Sequence, residues 1–461
     1  MSYKNGIINH LIENEIEISF PDNDEATITQ ENIVSESMTL KQSVCDSAEL
    51  RFGGCIASEF NIKLMNTPER QFSSQLVGKW ISVKITQHYS DPDELIYPSG
   101  SLYPSDNLYP GYALGSQSFY IFSGYIDSAP VDKTDKNIFN IVAYDVMAKL
   151  YEEDITNWLY NEWKTHQYGK ALTSLIGQCL RYGTPAVTIP TNSEAGTVFN
   201  GIFYERVRFL SDLPTTRACD YTQRNDDWAN SKSEINKGTL LKYLCEALGA
   251  FGIIRPNSGK GVFDLVKLSG TPETYGFYEH LETEDYQSTG YTDFVFDVAN
   301  SVTSKNINGG FIKNGAVTAG IKDAYDNAVD KAYDFTDNIL LWESLSGSSR
   351  TLTNTDCLIN NSSIGTRLAL NAESEDHSGE CAFSTYQPLS ASLDAQLWVT
   401  VGSPIEILVS KTDVSGNYID NEGNIITDGT IVKESVKTYV LSRTITGIQA
   451  MTDKIEVKGV R

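Results

Sequence analysis

ITQENIVSESMTLKQSVCDSAELRFGGCIASEFNIKL, residues 28–64, decides how the fold is read. In EFNIKL the apolar residues Phe60, Ile62 and Leu64 fall on alternate positions, and in AELRFGG Leu50 and Phe52 do the same. That period of two predicts strands with one face buried and one wet. The connection Ser35-Glu36-Ser37-Met38-Thr39-Leu40-Lys41-Gln42-Ser43 has no His, no glycine-rich phosphate cradle and no metal-ligand spacing. The stretch reads as scaffold, with strands doing the structural work and no chemistry in between.

Working outward, Trp80–Ile85 alternates in the same way, with Ile81, Val83 and Ile85 on one face, and a further strand is predicted at Phe119–Ile126. Between them Tyr-Pro recurs at 97–98, 103–104 and 109–110. Proline fixes φ and removes a donor, so this repeat predicts extended, polyproline-like backbone in a surface insertion, residues 89–118, of a β-hairpin. Tyr97, Tyr103, Tyr109 and Tyr112 form its candidate contact surface. Three readings stay open: a loop packed on its own domain, a dock for a neighbouring subunit, or a stacking surface for a sugar.

Ile138–Ala143 closes the first β region, and Asp145 is placed to cap a short helix carrying Val146, Met147 and Leu150. Ala171–Leu180 has a helical apolar face. Thr239 is the expected cap of a second such helix, LLKYLCEALGAFG, which leads into Gly252–Arg255, a turn at Pro256–Gly261 and a strand from Val262. Asn308-Gly309 and Asn314-Gly315 both signal tight hairpins. Near the C-terminus a turn at Gly402-Ser403-Pro404 precedes a strand with Ile405, Ile407 and Val409 on one face, and strands follow at Thr438–Ile445 and Ile455–Val457.

With 461 residues, two to four domains are expected. Apolar residues are 40% and charged residues 21%, and 25 Tyr with 34 Gly lean toward β structure rich in turns. The net charge of −24, from 36 Lys and Arg against 60 Asp and Glu, argues against a surface that holds nucleic acid by neutralising phosphates. From Ser269 to Ser304 there is no Lys or Arg, but there are Glu273, Glu279, Glu282, Glu284, Asp285, Asp293 and Asp297. Such acidity either solvates loops or lines a channel. No secretory leader is legible, and no apolar run approaches the ~20 residues that span a bilayer, so no membrane anchor is expected. The seven Cys lack any CxxC and read as free thiols of a reducing compartment.

Several of these segments resemble the phage tail and baseplate hub proteins. The residues that carry it are the opening Ser35-Glu36 through Phe52-Gly53 to Leu64, then AYDVMAKL at 143–150, the helix and hairpin at 240–268, and TYVLSRTITGIQAMTDKIEVKG at 438–459. The last is similar to hub-like proteins of prophages of low-GC bacteria. The resemblance implies a mainly β fold with α+β lateral parts: two tube-protein-like β-barrels plus lateral domains. The expected divisions are 1–145 for the first barrel, 146–275 for a lateral domain, and 276–461 for the second barrel with a lateral insert at about 340–395. It also implies a homotrimer in a virion tail tip, assembled in the host cytoplasm, with a tail tube or distal ring above and a spike or fibre below. A tape-measure protein is a further candidate partner. DNA would cross the lumen without specific binding, and Glu279, Glu282, Glu284, Asp285, Asp293 and Asp297 are the candidate lumen-facing acids. Because the chain ends just after the last barrel signature, wall-degrading activity is expected of another chain.

Catalytic signatures are missing. Five His are scattered with no HExxH, and there is no GxSxG, P-loop, dinucleotide fingerprint or EF-hand loop. No cofactor, metal or catalytic residue is therefore assigned. Two other functions stay open: a receptor-binding adhesin that recognises cell-surface glycan through the Tyr-Pro loop, and a hydrolase relying on Glu373, Glu375 and Asp376.

Overall fold

Main-chain pairing brings the two ends of the chain into one ten-stranded sheet. The computed structural model describes residues 11–20, 27–45, 53–68, 76–96, 111–165, 170–182, 234–257 except 249, 260–266, 389–410, 417–427 except 421, and 432–457. It also describes isolated residues near the N-terminus and about position 70, and short paired segments between 198 and 334. The early strands are β1 (Leu11–Ser19), β2 (Thr39–Ser43), β3 (Glu59–Met65), β4 (Trp80–Ile96), β5 (Gly111–Ser128) and β6 (Ile138–Tyr144). Later come β7 (Phe251–Asn257), β8 (Lys260–Val266), β9 (Leu389–Asp394), β10 (Pro404–Ser410), β11 (Lys433–Tyr439), β12 (Ser442–Thr446) and β13 (Thr452–Val457). The sheet runs β1-β4-β5-β6-β3-β2-β12-β13-β9, ending on Tyr286–Gln287. The described chain is mainly β with few helices.

The apolar alternation sets the core. Phe60, Ile62 and Leu64 of β3, Ile81, Val83 and Ile85 of β4, and Ile16 and Ile18 of β1 are all buried and share one cluster with Leu40, Phe122, Ile141 and Ile445. Phe60 stacks on Phe122, ring centroids 5.1 Å apart. Each such side chain contributes about 1.5–3 kcal/mol of burial. The sheet curls, because strands six places apart feed the same cluster. The segment after β1 completes the curl: Ile18 bridges Ile28, and Ile33 bridges Leu64 of β3. Ladder pairing runs from β1 through β4, β5 and β6 to β3, and the two isolated bridges of residues 28 and 33 link β3 back to β1.

Among the described residues four α-helices lie beyond the first strands: α1 (Val146–Glu152), α2 (Thr156–Thr165), α3 (Leu172–Arg181) and α4 (Lys237–Leu248). β7 and β8 form an antiparallel hairpin in a separate four-stranded sheet. β10 and β11 pair antiparallel in a three-stranded sheet with Glu273–Thr274.

Several sequence expectations need correction. The polar connection 35–43 is not all loop: Thr39–Ser43 is β2, pairing with β3 on one side and β12 on the other. Only Leu40 of that strand is buried, which is why its pattern reads as polar. The Tyr-Pro insertion is shorter than 89–118, since β4 and β5 stay paired out to Ile96 and Gly111. Pro256 is not in a turn but within β7, opposite Gly261. Asn314-Gly315 lies inside the strand Phe311–Ala316, at a register shift opposite Ser301 and Val302, so that glycine accompanies a bulge. Asn308-Gly309 and most of AELRFGG lie outside the described residues. The tail strand expected at 438–445 is two strands in different sheets, broken at Val440-Leu441. β1 itself was not anticipated.

Candidate functional site at two seams

The N-terminal strands meet the C-terminal strands along a ladder and a clasp. The ladder is β2 against β12, in register from Thr39 opposite Thr446 to Ser43 opposite Ser442. The clasp is built on the turn from β12 to β13. Glu36 accepts hydrogen bonds from Ile448 N–H (Oε2, 2.7 Å) and Gln449 N–H (Oε1, 3.0 Å). Asn14 of β1, buried, donates through Nδ2 to Ile448 O at 2.9 Å and Gln449 O at 3.1 Å, and accepts at Oδ1 from Gln87 Nε2 at 2.9 Å. Gln449 returns a bond, Nε2 to Asn14 O at 2.6 Å. Gly447, at φ +86°, opens the turn; a Cβ there would lie 2.6 Å from both Glu36 Oε2 and Ala450 O.

Behind the turn, Arg443 of β12 and Asp453 of β13 form an ion pair whose side chains are 2% and 0% exposed. Arg443 also donates to the Val399 and Gln396 carbonyls. This pair therefore holds the 395–401 segment to the last hairpin. A buried ion pair gains from further hydrogen bonds to its members, and these carbonyls supply them on the Arg443 side.

The second seam joins the N-terminal strands to the helices and the β7–β8 hairpin. Asp145, as expected, is the cap of α1: Oδ1 accepts from Met147 N–H at 2.9 Å. Its Oδ2 accepts from Ser58 N–H at 2.7 Å, so one carboxyl ties the start of β3 to the start of α1. Burial pushes its pKa up to about 7, against the lowering influence of those donors. Asn236 rather than Thr239 caps α4: its Oδ1 accepts from Thr239 N–H at 2.8 Å. Lys237, fully buried, pairs with Glu153 at 2.5 Å, and burial lowers its pKa. Gly54 sits where the chain passes Val44, since a Cβ there would lie 2.1 Å from Val44 O.

Of the loop tyrosines and candidate lumen-facing acids singled out from the sequence, the structure describes Tyr112 and Asp293. Tyr112 lies in β5, its backbone opposite Leu95, while Tyr97, Tyr103 and Tyr109 lie outside the described residues. Asp293 pairs through its backbone with Lys322 in a short strand; Glu279, Glu282, Glu284, Asp285 and Asp297 lie outside the described residues, as do Glu373, Glu375 and Asp376. Glu36, Asn14, Gln449 and Arg443 were not singled out. The signal available for three of them was that Glu36, Arg443 and Gln449 fall inside the resembling segments. Among the described residues no group of three or more His, Cys, Asp or Glu is placed to hold a metal ion. No described helix is long and apolar enough to cross a membrane.

No family model and no curated protein matches the chain. Among solved structures it is similar to the 43 kDa tail protein of prophage MuSo2 from Shewanella oneidensis, at 10% identity, covering 96% of this chain and 98% of that one, TM-score 0.38. It is also similar to prophage tail protein gp18 from Listeria monocytogenes EGD-e, at 10% identity, 96% and 94% coverage, TM-score 0.36. A third is the E. coli c3393 protein, a type VI secretion component described as structurally similar to T4 tail proteins gp27 and gp5, at 6% identity, 96% and 77% coverage, TM-score 0.34. The structural neighbours are thus prophage tail proteins and a tail-like secretion protein.

Proposed function

We propose that this chain is a structural hub of a phage or phage-like tail tip, one-third of a homotrimeric ring, and that it works by shape rather than by transforming a molecule. The observation that carries the reading is the clasp. Glu36, from the opening segment that resembles the hub family, is hydrogen-bonded to Ile448 and Gln449, from the closing segment that resembles it. The two most distant resembling segments are one physical unit, as a β wall built from both ends of a chain requires.

Two tube-like barrels per chain would give six around a three-fold axis, matching a six-fold tube above and a three-fold spike or fibre below. The ladder from β1 to β3, with the bridges at Ile28 and Ile33 leading back toward β1, supports the first barrel. The second barrel would be built around β9–β13, the lateral parts around α1–α4 and the β7–β8 hairpin. An acidic lumen would let DNA pass, because basic walls would bind each phosphate. Native mass spectrometry of the purified chain tests the central claim. Three times the chain mass, with three-fold averages in electron micrographs, is expected; a monomer at all concentrations overturns it.

A further inference from the structure

Residues 53–55 are laid directly on residues 250–252. Gly53 N–H donates to Ala250 O at 2.8 Å, Gly252 N–H donates to Gly54 O at 3.1 Å, and Cys55 bridges Gly252 in parallel register. Tyr151 OH donates to Cys55 O at 2.9 Å, so the Cys55 backbone is fixed from two sides. Its sulfur lies 3.9 Å from the sulfur of Cys245 on α4, and both residues are buried free thiols. The two cysteines are 190 residues apart in sequence and stand on opposite sides of the second seam.

We propose that Cys55 and Cys245 are an oxidation site, closing to an intramolecular disulfide that pins the N-terminal strands to α4 when a hydroperoxide reaches the pair. One thiolate attacks the peroxide O–O bond, taking an oxygen as sulfenic acid while hydroxide leaves and collects the thiol proton as water. The second sulfur attacks the sulfenic sulfur; the S–S bond forms, the S–O bond breaks, and the departing oxygen takes the second thiol proton as water. Two thiols lose two electrons and two protons, and one hydrogen peroxide becomes two waters. The sulfurs must close from 3.9 Å to the bonded separation of about 2.05 Å. Burial holds the Cys245 thiol well above its ordinary pKa, which disfavours its thiolate and makes the first step slow at neutral pH. A dithiol reductant reverses the step by exchange.

The test uses the full chain. It is treated with hydrogen peroxide, unfolded in an alkylating agent, digested without reductant and analysed by mass spectrometry. The expected result is a cross-linked peptide pair containing Cys55 and Cys245, two hydrogen masses lighter than the separate peptides and lost on dithiothreitol treatment. The oxidised chain should also unfold several degrees higher than the reduced chain. Cys55→Ser and Cys245→Ser should each abolish both effects. Recovery of Cys55 and Cys245 as alkylated thiols from wild-type chain overturns the proposal, as does a cross-link from either one to Cys179; neither outcome depends on a variant folding.

Discussion

Along the seam with β12 and β13 the N-terminal strands are held by a main-chain ladder and by polar side chains reaching turn amides. Along the seam with α1, α4 and β7 they are held by buried titratable groups, Asp145 and the Cys55–Cys245 contact, while the Lys237–Glu153 pair joins the end of α1 to the start of α4. The first arrangement specifies position, because donors and acceptors match at one register only. The second couples position to solution conditions, because a buried acid, amine or thiol changes state with pH or oxidant. Arg443–Asp453 is the exception in the first seam, a buried charge pair behind the clasp.

That exception gives the largest expected effect. Arg443→Ala leaves the Asp453 carboxylate buried without its cation and should cost about 3–5 kcal/mol in urea denaturation. The double change Arg443→Met with Asp453→Leu should recover much of it. A single variant within 1 kcal/mol of wild type, on that ~3–5 scale, would remove the exception.

The second seam is tested through Asp145. Asn cannot accept at both oxygens, so Asp145→Asn loses one of the bonds to Ser58 or Met147 and should cost about 1–3 kcal/mol. Its pH signature follows from a folded pKa of about 7 against about 3.9 when unfolded. Between those values the folded chain keeps a proton that the unfolded chain has lost. The contribution of Asp145 is therefore complete below about pH 4 and declines as pH rises through 7. Wild-type stability should fall relative to Asp145→Asn across that window; parallel pH profiles would mean the carboxyl is not the coupling group.

Smaller effects sharpen the contrast. Gly447→Ala places a Cβ against Glu36 and Ala450 at positive φ and should cost about 1–3 kcal/mol, with Glu36→Gln costing less because one oxygen still accepts. Lys41→Ala removes a surface ion pair with Glu59 and should change stability by less than about 1 kcal/mol. If Lys41→Ala matched Gly447→Ala in thermal unfolding, the clasp would hold no more than a surface pair does.

β3 was legible because its buried positions alternate without interruption, β4 because apolar Ile81, Val83 and Ile85 alternate although Trp80 and Ser82 are buried too, and the α1 cap because Asp145 bonds an amide two residues away. β1 was not, because its inward positions include Asn14. A buried Asn looks like a surface residue until its acceptors, Ile448 O and Gln449 O, are found 434 and 435 residues away. The cap of α4 was misread because Thr239 and Asn236 are both good capping residues, and the choice depends on where the helix begins. The clasp was legible only as a resemblance of segments, since spacing alone does not pair Glu36 with Gln449.

By itself the sequence determined the strand-rich character of the chain, the inward faces of β3 and β4 and the first helix boundary, because these depend on side-chain period and on bonds between near neighbours. Tertiary structure alone decided that polar Thr39–Ser43 is an interior strand of the sheet, that Glu36 and Asn14 grip the last turn, and that two cysteines 190 residues apart touch. Those outcomes rest on partners that local pattern does not name: a polar side chain is stable inside only where the rest of the fold delivers its hydrogen-bond partner.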